Sequence, residues 1–326
     1  MSTHEVLMGK KIIKSIASII LITVLVTAFS GCGENNHTLV QTGIAFTDAL
    51  GRNVAIEKTP QRVATLIGSF ADIWMLSGGT VCATVDDAWD DFGLDLPDAV
   101  NIGGAHSPNL ELILSANPDF VIASASTSAD VKMQSALEAA GITVAYFDVD
   151  NFYDYLKMLE ICTDITGRKD LYKQNGTDVE IAINSIKQSV NNAALSEEKR
   201  TVLLLRAHSG SVKAKGSTGT VLGEMLKDLG CINIADGNTA LLENLSVETI
   251  IQKNPYHIFA VSMGNDTDKA FNNLRSMMQE NPAWNTLDAV KNGRLHLMDR
   301  KLFNIKPNAK WADSYEKLSD ILLEKN

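Results

Sequence analysis

Ionisable side chains that could perform chemistry lie in a few short segments of the chain. The densest is the acidic group Asp86, Asp87, Asp90 and Asp91, whose carboxylates are typical ligands of divalent cations. Their spacing lacks the alternation of an EF-hand loop and its terminal glutamate. The chain also lacks a GxSxG nucleophile turn, a Walker A loop, an HExxH motif and a GxGxxG turn after a strand. These absences argue against the commonest enzyme classes.

Two glutamates, Glu111 and Glu248, occupy equivalent positions in an internal repeat. The segment PNLELILSANPDFVIAS from Pro108 aligns with LSVETIIQKNPYHIFAV from Leu245 at a constant offset along the chain. Each copy predicts a short helix, an Asn-Pro break and a strand, because proline lacks an N–H and restricts the residue before it. The repeat predicts two related halves.

The elements that position these residues alternate between strand-like and helix-like runs, which is typical of α/β folds. Apolar runs predict buried strands over residues 62–67, 120–123, 142–147, 201–205, 257–261 and 293–298. Glycine-terminated or periodic runs predict helices over residues 72–79, 129–140, 220–229 and 311–324.

The segment between the two halves predicts helices without a strand, over residues 151–166 and 169–194. Val179, Ile183, Ile186 and Val190 form one apolar stripe on the second of them. A helix of roughly 25 residues spans about 37 Å, which is enough to brace two lobes side by side. The fold class predicted is therefore α/β, with two Rossmann-like lobes joined by a single long helix and a ligand cleft between the lobes.

The amino terminus has the pattern of a targeting segment. Lys10, Lys11 and Lys14 precede an apolar run over residues 16–29, which is shorter than the roughly 20 residues that span a bilayer. Ser-Gly then precedes Cys32 and resembles a bacterial lipobox. We predict a signal peptide over residues 1–31, lipidation at Cys32, a tether over 32–44 and an extracytoplasmic location anchored to the cell membrane. An uncleaved signal anchor, and a start at Met8, are the alternatives.

Composition restricts the class further. With 326 residues and 45% hydrophobic content, the chain is long enough for two lobes with substantial cores. The net charge is −10 and no dense basic cluster follows the first residues, which excludes a duplex-binding role. Cys82, Cys162 and Cys231 form no CxxC pair and leave a single disulfide open.

The chain resembles the ABC-transporter solute-binding proteins that carry iron-siderophores, haem or cobalamin. The resemblance runs from about residue 46 to the carboxyl terminus. It rests on residues 48–54 (DALGRNV) and 60–63 (PQRV), 108–111 (PNLE) and 117–119 (NPD), 246–248 (SVE) and 254–255 (NP), and 281–284 (NPAW) and 289–294 (AVKNGR).

The resemblance implies a lipoprotein that binds a ferric siderophore and delivers it to an ABC-transporter permease. Haem or cobalamin is the alternative ligand, and an enzyme or a structural surface lipoprotein is the competing class. It implies a monomer without a resident cofactor and without nucleic acid. The expected division is a lobe over residues 45–150, a helical linker over 151–198 and a lobe over 199–326.

Ligand contacts are expected in loops at the carboxyl ends of strands, where open α/β sheets bind ligands; residues 206–218 are one such predicted loop. The predicted ligand-binding residues are Ser69, Phe70, Trp89, His106, Arg206, His208, Lys215 and Lys301. Trp89 suits stacking on a planar ligand, and the basic residues suit carboxylate or catecholate groups, with solvated loop charges as the alternative. His106 and His208 are either haem-iron ligands or hydrogen-bonding loop residues. No other metal ligand is predicted.

The resemblance also assigns a role to the two repeat glutamates. Glu111 and Glu248 correspond to family residues that dock into arginine pockets of the permease, one from each lobe. The alternative is that each carboxylate stabilises only the positive end of its own helix. The dipole alone does not explain equal placement in both halves.

Overall fold

The computed structural model describes residues 43–264 and 266–325 of the chain. The predicted signal peptide, Cys32 and nearly all of the tether lie outside these residues. Within the described part, no helix has both the length and the apolar character needed to cross a bilayer. Cys82, Cys162 and Cys231 are all free thiols.

The first half of the chain contains a parallel sheet preceded by a small antiparallel hairpin. The strands of this half are β1 (Ile44–Thr47), β2 (Asn53–Ile56), β3 (Val63–Thr65), β4 (Val81–Thr84), β5 (Val100–Asn101), β6 (Gly103–Gly104), β7 (Ser107–Pro108), β8 (Phe120–Ser124) and β9 (Thr143–Phe147). The sheet order is β5-β4-β3-β8-β9, while β1-β2 and β6-β7 form separate two-stranded hairpins. Its helices are α1 (Gly68–Leu76), α2 (Asp87–Asp90), α3 (Leu110–Ser115) and α4 (Ser128–Ala139).

Two helical segments connect the halves, as the sequence predicts. The first is α5 (Phe152–Thr166), and the second contains α6 (Lys169–Tyr172) and α7 (Asp178–Asn192). The second predicted helix differs in one respect, because Lys173–Thr177 between α6 and α7 form a π-helical turn. Asn175 in this turn donates from Nδ2 to the Leu76 carbonyl at 2.9 Å, and its own carbonyl accepts from the Tyr155 hydroxyl at 2.8 Å. The wider turn thus anchors the bridging helix to the first half.

The second half contains a second sheet with the order β11-β10-β13-β14 and with β12 paired to β10. Only the β10–β11 pair is antiparallel within this sheet. The strands are β10 (Thr201–His208), β11 (Ser211–Lys215), β12 (Ile232–Asn233), β13 (His257–Ser262) and β14 (Leu295–Met298). The helices are α8 (Val221–Asp228), α9 (Thr239–Asn244), α10 (Val247–Lys253), α11 (Thr267–Glu280), α12 (Asp288–Lys291), α13 (Arg300–Phe303) and α14 (Trp311–Leu322), with short 3₁₀ turns at Glu198–Arg200, Pro282–Thr286 and Asn308–Lys310.

The internal repeat has the same backbone in both halves. Helices α3 and α10 are each followed by an asparagine in the left-handed region, Asn117 at φ 48° and Asn254 at φ 42°. Asparagine tolerates this conformation better than most residues, and the proline after it prevents the helix from continuing. The chain then enters the fully buried strands β8 and β13.

The cores show how the halves are joined. One apolar cluster belongs to the first half and another to the second. The largest cluster contains side chains from both sheets, among them Val63 and Leu204, together with Ile183 of the bridging helix. Trp311 of α14, fully buried, packs edge-on against Phe152 of α5 with ring centroids 5.9 Å apart. The two sheets therefore share one continuous apolar core together with the bridging helix.

Candidate functional site

A cleft of about 850 Å³ lies between the two sheets. Its lining follows the carboxyl ends of strands from both halves, for example Ser126 after β8 and Met263 after β13. This is where parallel α/β sheets place their ligands, since the connecting loops converge there. The volume falls in the range that accommodates small-molecule ligands.

The structure brings together part of the set predicted from the sequence. The predicted residues that line the cleft are Ser69, Phe70, His106, Arg206 and His208. Ser69 and Phe70 are buried at the start of α1, whereas the two histidines are exposed.

The remaining predicted ligand residues lie outside the cleft lining. Trp89 is half-buried in α2, and Lys215 lies at the end of β11. Lys301 lines a neighbouring cavity of about 690 Å³, together with Phe271 and Leu297. A contact between these residues and a ligand inside the cleft stays a prediction.

The start of α1 is held in place by a close approach to α2. The Gly68 amide donates to Asp87 Oδ1 at 2.9 Å. A Cβ at Gly68 would lie 2.5 Å from the Ala88 nitrogen, so only glycine fits here. Burial raises the pKa of Asp87 to about 6. From the second half, Asn308 Nδ2 donates to the Ser69 carbonyl at 2.9 Å, which fixes Ser69 at the cleft.

The loop after β8 is fixed by a buried carboxylate. Asp130 is fully buried and accepts the Ser124 amide on Oδ2 at 2.9 Å. The Asp130 carbonyl accepts from the Tyr146 hydroxyl at 3.0 Å. Desolvation raises the pKa of Asp130 to about 7. This network positions Ser124 and Ser126, whose hydroxyls lie 3.0 Å apart in the cleft lining.

Arg206 is the cleft residue best suited to bind an anion. It lies near the end of β10, and its Nε is buried without a hydrogen-bond partner. Within the described residues its guanidinium forms no ion pair. Burial lowers its pKa from the ordinary value, but a guanidinium stays protonated at neutral pH. An unneutralised charge in a partly desolvated position gains much from an anionic ligand.

The two cleft histidines come one from each half. His106 follows the β6 strand, and His208 ends β10. His208 Nδ1 lies 3.3 Å from Ser209 Oγ. Among the described residues, no group of three or more His, Cys, Asp or Glu side chains is arranged to hold a metal ion. Each histidine could therefore bind iron only if the other ligands came with the iron complex.

One ion pair crosses the cleft. Arg300, at the start of α13, donates to Asp91, just after α2, from both terminal guanidinium nitrogens, Nη1 and Nη2. The Nη2–Oδ2 distance is 2.9 Å, and the side chains are only 15% and 11% exposed. Among the ion pairs of the described residues, this is the one that joins the two sheet-bearing halves across the cleft.

Several lining residues were not predicted from the sequence. Asp148 and Asp150 directly follow β9, so the rule on carboxyl ends of strands could have found them. Arg300 and Lys306 also line the cleft. Arg300 directly precedes Lys301, which was predicted to bind the ligand, but nothing in the local sequence identifies Arg300 or its partner Asp91. Lys306 lies beyond α13, where no strand end marks it.

Glu111 and Glu248 have matching surroundings. Both are exposed in the first turn of their helices, α3 and α10. Asn109 and Ser246 cap the two helices by accepting the amides of Leu112 and Thr249. The capping hydrogen bonds are thus made by Asn109 and Ser246 and not by the glutamates, although Glu248 also accepts from the Ser246 hydroxyl at 3.2 Å.

Comparison with known proteins identifies the family to which this chain belongs. The sequence profile described as periplasmic binding protein matches residues 63–302. The chain belongs to this family. The Fe(3+)-citrate-binding protein YfmC of Bacillus subtilis is 25% identical over 300 residues, covering 88% of this chain and 89% of YfmC.

Solved structures of periplasmic binding proteins have the same two-lobe fold. Staphylococcus aureus SirA complexed with staphyloferrin B aligns with a TM-score of 0.67 at 22% identity, covering 86% of this chain and 98% of SirA. Staphylococcus aureus IsdE complexed with heme aligns with a TM-score of 0.64 at 20% identity, covering 80% and 98% of the respective chains.

These comparisons confirm three predictions from the sequence. The family resemblance and the two-lobe α/β fold class are correct. The protein is a substrate-binding component of transport and not an enzyme, as its family and its relatives are. The domain limits 45–150, 151–198 and 199–326, and the roles of individual site residues, stay predictions.

Proposed function

We propose that this protein binds a ferric siderophore in its cleft and delivers it to an ABC-transporter permease. The observation that carries the proposal is Arg206, a partly buried, unpaired cation in the cleft lining. Carboxylate, catecholate and hydroxamate chelates of iron carry negative oxygens, and such an oxygen would accept a charge-assisted hydrogen bond from Arg206. The ligand is cargo and not a resident cofactor.

The relatives support an iron complex as the ligand. YfmC is named for ferric citrate, and the SirA structure contains staphyloferrin B. In this chain Ser124 and Ser126 line the same cleft as Arg206, and hydroxyl groups suit the oxygen-rich surface of a ferric chelate.

The test is a ligand panel. Purified protein is mixed in turn with ferric citrate, a ferric trihydroxamate, a ferric catecholate, haem and cobalamin, and the melting temperature and visible spectrum are recorded. A ligand present at 100 times its Kd stabilises the folded state by about 2.7 kcal/mol, which a thermal melt detects. We expect at least one ferric chelate to do so. If no iron complex raises the melting temperature, the proposal is wrong.

Haem is the second candidate ligand, because His106 and His208 line the cleft from opposite halves. IsdE, a structural neighbour, is complexed with heme. A histidine bound to haem iron gives a sharp Soret band that His106→Ala or His208→Ala would remove or shift. A siderophore brings its iron already coordinated, and either substitution would then cost only one hydrogen bond, about 1 kcal/mol.

The proposed location is outside the cytoplasmic membrane, attached through Cys32. Relatives in Bacillus subtilis are named ABC transporter substrate-binding lipoproteins, which supports an extracytoplasmic site of action. We propose that residues 1–31 are removed and that lipidated Cys32 is the first residue of the mature chain. The protein then acts as a monomer that meets its permease at the membrane surface.

Replacing Cys32 by Ala is expected to abolish anchoring. Without the thiol no lipid can be attached, so the protein should stay unprocessed or enter the soluble fraction. Fractionation of cells followed by immunoblotting measures this, with Cys82→Ala as the matched control. A processed Cys32→Ala protein that stays in the membrane fraction contradicts lipidation at this residue.

A further inference from the structure

The charged side chains that line the cleft are divided between its walls by sign. The carboxylates all come from the first half of the chain and are Asp86, Asp87, Asp90, Asp91, Asp148 and Asp150. The basic side chains all come from the second half and are Arg206, Arg300 and Lys306. Among the described lining residues, the first half contributes no Lys or Arg and the second half no Asp or Glu. We call these the acidic wall and the basic wall.

Pairing between the walls neutralises little of this charge. Asp91 and Arg300 form the ion pair described above. The other wall carboxylates, and Arg206 and Lys306, form no ion pair within the described residues. Asp87 has a pKa of about 6 and is therefore mainly ionised at neutral pH. The cleft therefore has an excess of negative charge on one wall and, within the described residues, positive charge without an ion-pair partner on the other.

Two buried polar atoms of cleft-lining residues lack a hydrogen-bond partner among the described residues. Ser69 is 2% exposed, yet its Oγ has no hydrogen-bond partner. Arg206 Nε is likewise buried without a partner. Buried polar atoms without partners are rare because they lose water without any compensating bond. One of these atoms comes from each half, so within the described residues neither wall of the cleft has all of its polar atoms hydrogen-bonded.

We propose that the ligand is a zwitterionic iron chelate, which presents a protonated amine to the acidic wall and a carboxylate or comparable anionic group to the basic wall. This inference rests on the proposed function and narrows its ligand class. A ligand with both charges binds in one orientation, because the reversed orientation brings like charges together. The acidic wall also selects against chelates whose charge is negative on every side, since their approach to it is repulsive.

The test uses one linear ferric trihydroxamate in four forms. The first form carries only a free amine, the second only a carboxylate, and the third carries one at each end. The fourth is uncharged, because its amine is acetylated and it has no carboxylate. Binding to the full chain is measured by tryptophan fluorescence quenching. We expect the form with both groups to bind at least tenfold more tightly than the uncharged form, with the singly charged forms between them.

Protein variants assign each charge to its wall. The double substitution Asp148→Asn and Asp150→Asn should remove the advantage of the amine but not that of the carboxylate. Arg206→Gln should do the reverse. Asp98→Asn is the matched control, since Asp98 is exposed in the first half and does not line the cleft.

The outcomes are separable. Equal affinities for the four forms, or tightest binding of the uncharged form, overturn the zwitterion inference and leave the ferric-siderophore proposal intact. The same holds if none of the four binds while ferric citrate or a ferric catecholate does. If no iron complex of any kind binds, the proposed function itself fails, and the inference fails with it.

Discussion

Replacing Glu111 or Glu248 by Arg is expected to abolish uptake of iron into cells while ligand affinity stays nearly unchanged. Both carboxylates are exposed, at matching positions in the two halves, and neither lines the cleft. If each enters a basic pocket of the permease, reversal of its charge places like charges in contact. Such a contact costs several kcal/mol, so we expect transport to fall by about 100-fold or more.

The measurement combines radiolabelled iron uptake with fluorescence titration of the purified variants, using the same ferric chelate in both. Glu316→Arg is the matched control, because Glu316 is an exposed helical glutamate outside the repeat. Normal uptake by both variants would show that these glutamates do not dock. A collapse of ligand affinity would place them in ligand binding instead.

Replacing Arg206 by Ala is expected to weaken binding of a ferric siderophore by roughly 10- to 150-fold. A charge-assisted hydrogen bond contributes about 1.5–3 kcal/mol, and within the described residues the Arg206 guanidinium forms no ion pair and its Nε has no hydrogen-bond partner. The corresponding histidine variants, His106→Ala and His208→Ala, should lose only about fivefold, equivalent to about 1 kcal/mol.

Titration by tryptophan quenching measures all three variants against the ferric chelates that the panel identifies. Arg275→Ala is the matched control, since Arg275 is exposed on α11 away from the cleft lining. An unchanged Kd in Arg206→Ala would remove Arg206 from the binding site. Haem binding that disappears with either histidine, without binding of any siderophore, would favour the haem alternative.

The sequence predicts the fold well where local signals agree. Strand β8 and the helix 311–324 are close to their predicted limits, because burial and periodicity indicate the same element.

Strand β4 (Val81–Thr84) was not predicted, because four residues after two glycines give little pattern. Helix α11 was missed although Phe271, Leu274 and Met278 follow helical spacing. The residues predicted as a loop over 206–218 instead extend β10 and form β11, since an antiparallel partner lengthens the strand.

The candidate site is less predictable, because it depends on contacts between distant segments. Arg206 and His208 could be placed in the cleft from a strand end alone, whereas no strand was predicted just before His106. The partnership of Asp91 with Arg300, 209 residues apart, has no local signature. Arg300 and Lys301 are neighbours in sequence and both line the adjoining cavity, yet only Arg300 also lines the cleft, a difference that the local sequence does not reveal.

The core shared by the two sheets has a consequence for how this chain can change over evolutionary time. Its two halves repeat one unit, but neither half closes its own apolar surface, since the largest cluster draws side chains from both and from the bridging helix. Recombination that exchanged one half with that of a distant relative would mismatch this packing and destabilise the whole chain. New ligand preferences therefore arise most readily by substitutions in the cleft loops. The residues of the shared core are expected to change together or not at all.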